Sequence, residues 1–293
     1  MVVQAEIHRK SISDKVEDRR DAADRLRINF ADLPDKGAAW EELHRLTRDK
    51  DDNVRRRAAN ALGSSFPHIP DKESAWQDLI RLTGDEDIFV RWGATIALSS
   101  AFSHIPNKES AWQDLIWLTG DQESEVRGEA ADSLGSVFSQ VPDKESAWQD
   151  LVHLTGDQES EVRWGAANAL GSAFSYVPDK RSAWEDLIRL TGNQKRDVRS
   201  RVVNALGFAF SQAPDKKTAW CDLIRLTDDE DCDVRWWAVG ALSSAFSHVP
   251  EKDSAWKDLI RLTGNRDTDV RWRAVNALSS AFLHVPEKDS AWQ

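Results

Sequence analysis

Tryptophan recurs at 40, 76, 112, 148, 184, 220, 256 and 292, and proline at 34, 70, 106, 142, 178, 214, 250 and 286, always 36 residues apart. A unit this short cannot bury its own apolar face, so copies must stack and share a core with their neighbours. The period is unbroken and leaves no linker, which assigns 1–293 to one array rather than to two ordinary domains. Within it, 1–34 reads as a degenerate N-terminal capping repeat, 35–286 as seven regular repeats, and 287–293 as the start of a truncated further one, as in a piece of a longer chain. In the cap, Arg25 and Arg27 stand where Ala61 and Gly63 stand one repeat later. That exchange suits a side turned to water.

Each unit predicts two helices. In the first, "DKESAWQDLVHLTG", Ala147, Trp148, Leu151, Val152 and Leu154 share one face. Pro142 lies just upstream, Asp143 or Ser146 caps the first turn, and Gly84, Gly120, Gly156, Gly192 and Gly264 are expected to close the helix in the left-handed conformation. The second carries Val162, Ala166, Leu170, Ala173, Phe174 and Val177 on one face and ends before proline. Second helices are predicted over 52–69, 88–105, 124–141, 160–177, 196–213, 232–249 and 268–285. Stacked side by side, these pairs form an all-α superhelix.

The phrase "VRRRAANALG" at 54–63 returns as "VRWGAANALG" at 162–171, with Asp or Asn five residues before the valine. Recurring seven times over practically the whole chain, it resembles the HEAT repeat, in the HEAT-like form named after phycobilisome lyases. The 36-residue unit is longer than the common one, a variant associated with archaeal proteins. The resemblance implies an α-solenoid, a right-handed superhelix of stacked antiparallel pairs of the HEAT-like/ARM type, with second helices on the concave face. It also implies protein binding or scaffolding, with a few enzymes in the family.

An arginine follows the valine position in every unit: Arg19, Arg55, Arg91, Arg127, Arg163, Arg199, Arg235 and Arg271. At the edge of the apolar face it needs a partner, and the loop residue five before the valine supplies one: Asp49, Asp85, Asp121, Asp157, Asn193, Asp229 or Asn265. These residues are assigned to a structural ladder linking one repeat's loop to the next. The eight periodic tryptophans, each followed by apolar residues at helical spacing, are assigned to the core.

Six tryptophans remain. Trp92, Trp164, Trp236 and Trp272 share the position two after the valine, Trp237 follows Trp236, and Trp117 lies on a first helix. The shared position points to the concave face, with Asn60, Asn168, Asn204 and Asn276 one turn on. Small residues stand beside it at Gly63, Ser99, Gly135, Gly171, Gly207, Ser243 and Ser279. Large rings among asparagines and small residues suit a peptide groove. The alternation Trp92, Gly128, Trp164, Ser200, Trp236 suits a second reading, in which each ring packs beside a small neighbour as scaffold. Both stay open. Arg56, Arg57, Arg201 and Arg273 outnumber Glu129 and Asp132 there, so the face favours an acidic or neutral protein segment.

The chain as a whole has 39 basic and 50 acidic residues, a net charge of −11, which argues against nucleic acid. It contains no apolar run of membrane-spanning length, and "MVVQAEIHRK" is not a signal peptide, so a cytoplasmic location is expected. Cys221 and Cys232, placed at the start of a helix and in the loop after it, suit a reducing compartment. His68, His104, His248 and His284 share one position but lie at least a repeat apart, so no metal site is expected. The His-Glu pairs of HEAT-like iron hydroxylases and the basic grooves of HEAT-like DNA glycosylases are absent from the sequence. The function expected is therefore a non-enzymatic, cofactor-free module that binds a protein or peptide. The alternatives are a lyase or chaperone-type enzyme subunit and a passive spacer within a larger regulatory protein.

Overall fold

The computed structural model describes residues 2–284, and its internal contacts divide the chain into two compact units, Met1–Asp143 and Lys144–Gln293. Pro286, Trp292 and the further repeat expected at 287–293 lie outside the described residues. The first unit contains α1 (Val2–Ser11), α2 (Val16–Asn29), α3 (Lys36–Leu46), α4 (Asp52–Ser65), α5 (Lys72–Leu82), α6 (Ile88–Ala101), α7 (Lys108–Leu118) and α8 (Ser124–Val137). The second contains α9 (Lys144–Leu154), α10 (Ser160–Ala173), α11 (Lys180–Leu190), α12 (Arg196–Ala209), α13 (Lys216–Leu226), α14 (Cys232–Ala245), α15 (Lys252–Leu262) and α16 (Thr268–Ala281). Odd-numbered first helices and even-numbered second helices form two layers in each unit, and there is no strand among the described residues. The architecture is an all-α solenoid.

First helices begin where proline forbids an earlier start and a short polar side chain takes over. Asp35 accepts from the Ala38 N–H at 2.9 Å and Asp71 from the Ser74 N–H at 3.0 Å; Asn107, Asp179 and Asp215 cap in the same way. Their ends correct the sequence reading. No described glycine has positive φ. The chain instead tightens into a right-handed turn, with Gly84 N–H donating to Arg81 C=O at 3.1 Å and Asp85 N–H to Leu82 C=O at 3.2 Å. Arg48 and Asp228 make the same turn at the equivalent position, so a side chain there meets no conformational barrier.

Second helices start as expected, but their α-helical part ends four residues sooner, at a phenylalanine that opens a 3₁₀ turn such as Phe66–His68. A lysine the sequence reading passed over accounts for the early stop. Lys72 Nζ reaches back to the carbonyls of Phe66, Pro67 and Ile69 at 3.3, 3.1 and 3.0 Å, satisfying acceptors the helix end leaves open. Lys36 and Lys180 do the same to their preceding turns.

Those phenylalanines form the core with the periodic tryptophans, which are buried from Trp40 to Trp256. Edge-to-face contacts join Phe66 to Trp76 and Trp112 to Phe138 in the first unit, and Phe210, Trp220, Phe246 and Trp256 in sequence in the second. Such pairs contribute about 0.5–1.5 kcal/mol beyond their buried area. Each indole N–H still needs an acceptor. Trp76 finds Asp114 at 2.8 Å, Trp148 finds Asp186 and Trp220 finds Asp258, both at 3.0 Å, one repeat along.

Neighbouring second helices touch through the small residues. A Cβ on Gly63 would lie 2.8 Å from Ala97 Cα, and one on Gly207 would lie 3.0 Å from Ala241 Cα. These glycines allow close approach of the neighbouring helix, and Gly207 remains half-exposed. Cys221 also moves: it lies within α13, Cys232 opens α14, and both are exposed. At the N-terminal end of the chain, Arg25 ties α2 to α1 by pairing with Asp21 and Glu6.

Candidate partner-binding face

The arginine after each valine points into the loops. Arg55 donates through Nη1 to the carbonyl of Asp49 in its own repeat at 2.9 Å, and through Nε and Nη2 to the carboxylate of Asp85 in the next, at 2.6 and 2.8 Å. Arg19 grips Asp49 and Arg91 grips Asp121 with the same two-pronged geometry. A repeat's own loop thus supplies its backbone, while the carboxylate comes from the loop that follows. The partner expected from sequence is correct in position but belongs to the preceding arginine. Arg127 takes the carbonyls of Asp121 and Gln122.

The second unit varies this arrangement where asparagine replaces aspartate. Arg163 takes the carbonyls of Asp157 and Gln158 but turns from Asn193 to Asp197, at 2.9 and 2.5 Å. Arg235 turns from Asn265 to Asp267, its Nε at 2.9 Å. Arg199 keeps Asp229 through one long contact of 3.4 Å and adds Glu230 at 3.1 Å. Arg271 holds the carbonyls of Asn265 and Arg266 and the Thr268 hydroxyl. A guanidinium seeks full negative charge, which a carboxamide does not offer.

The arginines that follow the valines are thereby engaged. A cleft of about 720 Å³ lined by Arg163, Lys195, Arg196, Asp197, Arg199 and Glu230 holds acids alongside its bases, with Arg163 on Asp197 and Arg199 on Glu230. The row histidines are exposed on the 3₁₀ turns. No cluster of His, Cys, Asp or Glu suited to a metal occurs among the described residues.

The face of the second helices has a different chemistry in each unit. In the first, Trp92 is 39% exposed and its indole N–H donates to Glu129 at 3.0 Å. Loss of solvation, reinforced by the like charge of Asp132, pushes the Glu129 carboxyl above the usual glutamate range, against the pull of the Trp92 N–H. Arg57, on the same face, pairs with Asp24. That cation is spent within the fold.

In the second unit, rings and guanidinium groups alternate. The Arg201 guanidinium lies 5.1 Å from the centre of Trp164 and 5.6 Å from that of Trp237. Arg273 lies 4.1 Å from Trp236 and 5.4 Å from Trp237, and Trp236 stacks on Trp272 at 5.7 Å with planes 6° apart. Trp164 remains 40% and Trp272 60% exposed. Gly240 makes room for this assembly, since a Cβ there would collide with Arg273 Nη2. Burial lowers the pKa of Arg273, and its Nη1 is enclosed without a hydrogen-bond partner. Asn168 and Asn204 are half-buried, Asn276 is exposed, and none of their carboxamides is hydrogen-bonded among the described residues. Trp117, by contrast, is exposed on α7 in the first-helix layer.

In the second unit Trp164, Arg201, Trp237, Arg273, Trp236 and Trp272 come together, whereas Trp92 and Arg57 in the first unit have Glu129 and Asp24 as partners. The arginine–tryptophan alternation was missed. Its signal was available, because Arg201 and Arg273 each stand three residues after the valine, one repeat beyond a tryptophan that stands two after it.

Stacked helix pairs, aromatic cores shared by neighbours and loop-bridging arginines define an α-solenoid repeat protein. The chain belongs to the HEAT repeat family, whose model matches residues 41–116 and 113–207. No curated protein matches it. Among solved structures it is similar to Kap95p, in work on how Kap95p binding induces the switch loops of RanGDP to adopt the GTP-bound conformation. There the TM-score is 0.70 at 12% identity, over 98% of this chain and 41% of that one. It is also similar to Kap121p bound to Pho4p, with TM-score 0.60 at 16% identity over 98% and 38%, and to an engineered protein, with 0.51 at 24% over 99% and 80%. At such identities the likeness is one of fold. The chain spans about two-fifths of the length of Kap95p and Kap121p. No helix among the described residues is long and apolar enough to cross a membrane.

Proposed function

We propose that the chain is a non-catalytic, cytoplasmic binding module of the phycobilisome-lyase-like HEAT type, which holds a partner protein or peptide on its second helices. The observation that carries this reading is the solvent-reached assembly of Trp164, Arg201, Trp237, Arg273, Trp236 and Trp272. Tryptophan and arginine are the residues that dominate binding energy at protein interfaces. The free carboxamides of Asn168, Asn204 and Asn276 add donors and acceptors for a partner's backbone. Kap95p and Kap121p, built on the same fold, bind RanGDP and Pho4p. The free, exposed Cys221 and Cys232 suit a reducing compartment.

A photo-reactive residue placed at Asn168 tests this, with one at Lys257 on the outer surface of α15 as control. The expected result in the native cell is a single cross-linked protein from position 168 and none from 257. Equal yields, or none from 168, overturn the reading.

A further inference from the structure

We infer that the partner, on the reading just given, is an extended acidic segment whose carboxylates, two residues apart, engage Arg201 and Arg273 on either side of Trp237. Acid outnumbers base in this chain, 50 residues to 39, and the arginines that follow the valines, such as Arg55, Arg91, Arg163 and Arg235, each hold an anion. Arg201 and Arg273 are different. Neither has an ion pair or hydrogen bond among the described residues; both have ring faces instead.

That difference determines what they can bind. Contact with rings uses the flat faces of a guanidinium and leaves the N–H donors of its rim without acceptors, in the fork that matches a carboxylate. Arg273 Nη1 is an enclosed donor with nothing to donate to, a state that costs free energy until an acceptor arrives. The fold also makes space for it, because Gly240 has no side chain where the guanidinium sits.

Spacing narrows the ligand further. Both guanidinium groups lie within 6 Å of the Trp237 centre, so they are no more than about 11 Å apart. In an extended chain, side chains on the same side are two residues and about 7 Å apart, and flexible acidic side chains span the remainder. A long polyphosphate fits less well, since beyond these two cations it meets a molecule of net charge −11.

The test uses the full chain and a twelve-residue Ser peptide with Glu-Ser-Glu at its centre, with the Gln-Ser-Gln version, a single-stranded oligonucleotide and inorganic phosphate as comparisons. Calorimetry should show the Glu peptide binding and the Gln peptide not. Arg201→Gln and Arg273→Gln should each weaken binding about tenfold or more. Gly240→Ala, which keeps both charges but displaces Arg273, should weaken it several-fold with the helical circular dichroism unchanged. Equal binding of the two peptides, indifference to the arginine variants, or tighter binding of oligonucleotide or phosphate overturns the proposal. If the Glu peptide fails while position 168 still cross-links a partner, the acidic specificity is wrong and the binding module stands. If both fail, both are wrong.

Discussion

Trp92 and Trp164 occupy the same place in their repeats, and each touches the residue three after the next valine, yet the contacts are opposite in kind. Trp92 meets Glu129 with its edge, through the indole N–H; Trp164 meets Arg201 with its face. An indole is positive at its rim and negative over its ring, so the charge of one neighbouring side chain decides which way the ring is used. The first unit thereby closes its tryptophan into an internal hydrogen bond. The second leaves a stack of rings and cations whose guanidinium donors have no acceptor among the described residues. Repetition of backbone is thus compatible with reversal of chemistry, and function can be confined to part of an array.

The contrast can be broken or sharpened by substitution. Its largest expected consequence is in the loops: Arg55→Ala removes a two-pronged, buried pair with Asp85 and should cost about 3 kcal/mol. Arg199→Ala, whose hold on Asp229 is a single contact of 3.4 Å, should cost about half that. Chemical denaturation measures both, and equal losses would show that the two units are tied alike. Next, Trp236→Ala should cost about 2 kcal/mol, through its stack on Trp272 and its cation contact with Arg273. Trp92→Ala should cost about 1 kcal/mol, the value of one hydrogen bond on an accessible ring. The reverse order would mean that the second-unit stack is not a cohesive assembly.

Glu129→Arg should give Trp92 the environment of Trp164, changing stability by under about 1 kcal/mol. The test is an altered indole N–H resonance for Trp92 alone, and an unmoved resonance would sever the proposed link between charge and ring use. The smallest effect is in pH. Glu129 has a raised pKa when folded, so its share of stability is complete below the unfolded value and is lost as pH rises through the folded one. Acidifying from neutrality should therefore stabilise the first unit slightly, and the Trp92 resonance should titrate above the usual glutamate range. Asp85 runs the other way: its lowered pKa gives stability that disappears only as pH falls below the ordinary aspartate range. Glu129→Gln should abolish the first titration and leave the second.

The helix pairs, their starting points and the buried tryptophans could be read from the sequence, because a 36-residue step superimposes every apolar position on its copies. Side-chain direction was less accessible. The period aligns Arg55 with Asp49 as readily as with Asp85, and only the stagger of successive loops selects the later one for the carboxylate. Glycine after a first helix suggested a left-handed closure, but Arg48 and Asp228 show that the turn is right-handed and that glycine is optional there. No sequence pattern singles out Lys72, and its grip on three carbonyls emerges only when the preceding turn folds back towards it. The cluster around Trp237 was hidden for another reason: its members come from α10, α12, α14 and α16, and each repeat alone contains only a fragment.

The forward reach of the loop arginines has a consequence for heredity. Because Arg55 binds Asp85 and Arg19 binds Asp49, thirty positions ahead in each case, a duplication or deletion of one whole 36-residue unit presents each arginine with an equivalent aspartate. Unequal crossing-over can lengthen or shorten such a stretch without opening a seam. Around Arg163 that freedom is lost, since its anion is Asp197, inside the next helix rather than in the loop. A unit spliced in there must bring its own aspartate at that site. The segment bearing the arginine–tryptophan stack is consequently harder to copy or exchange than the segment before it.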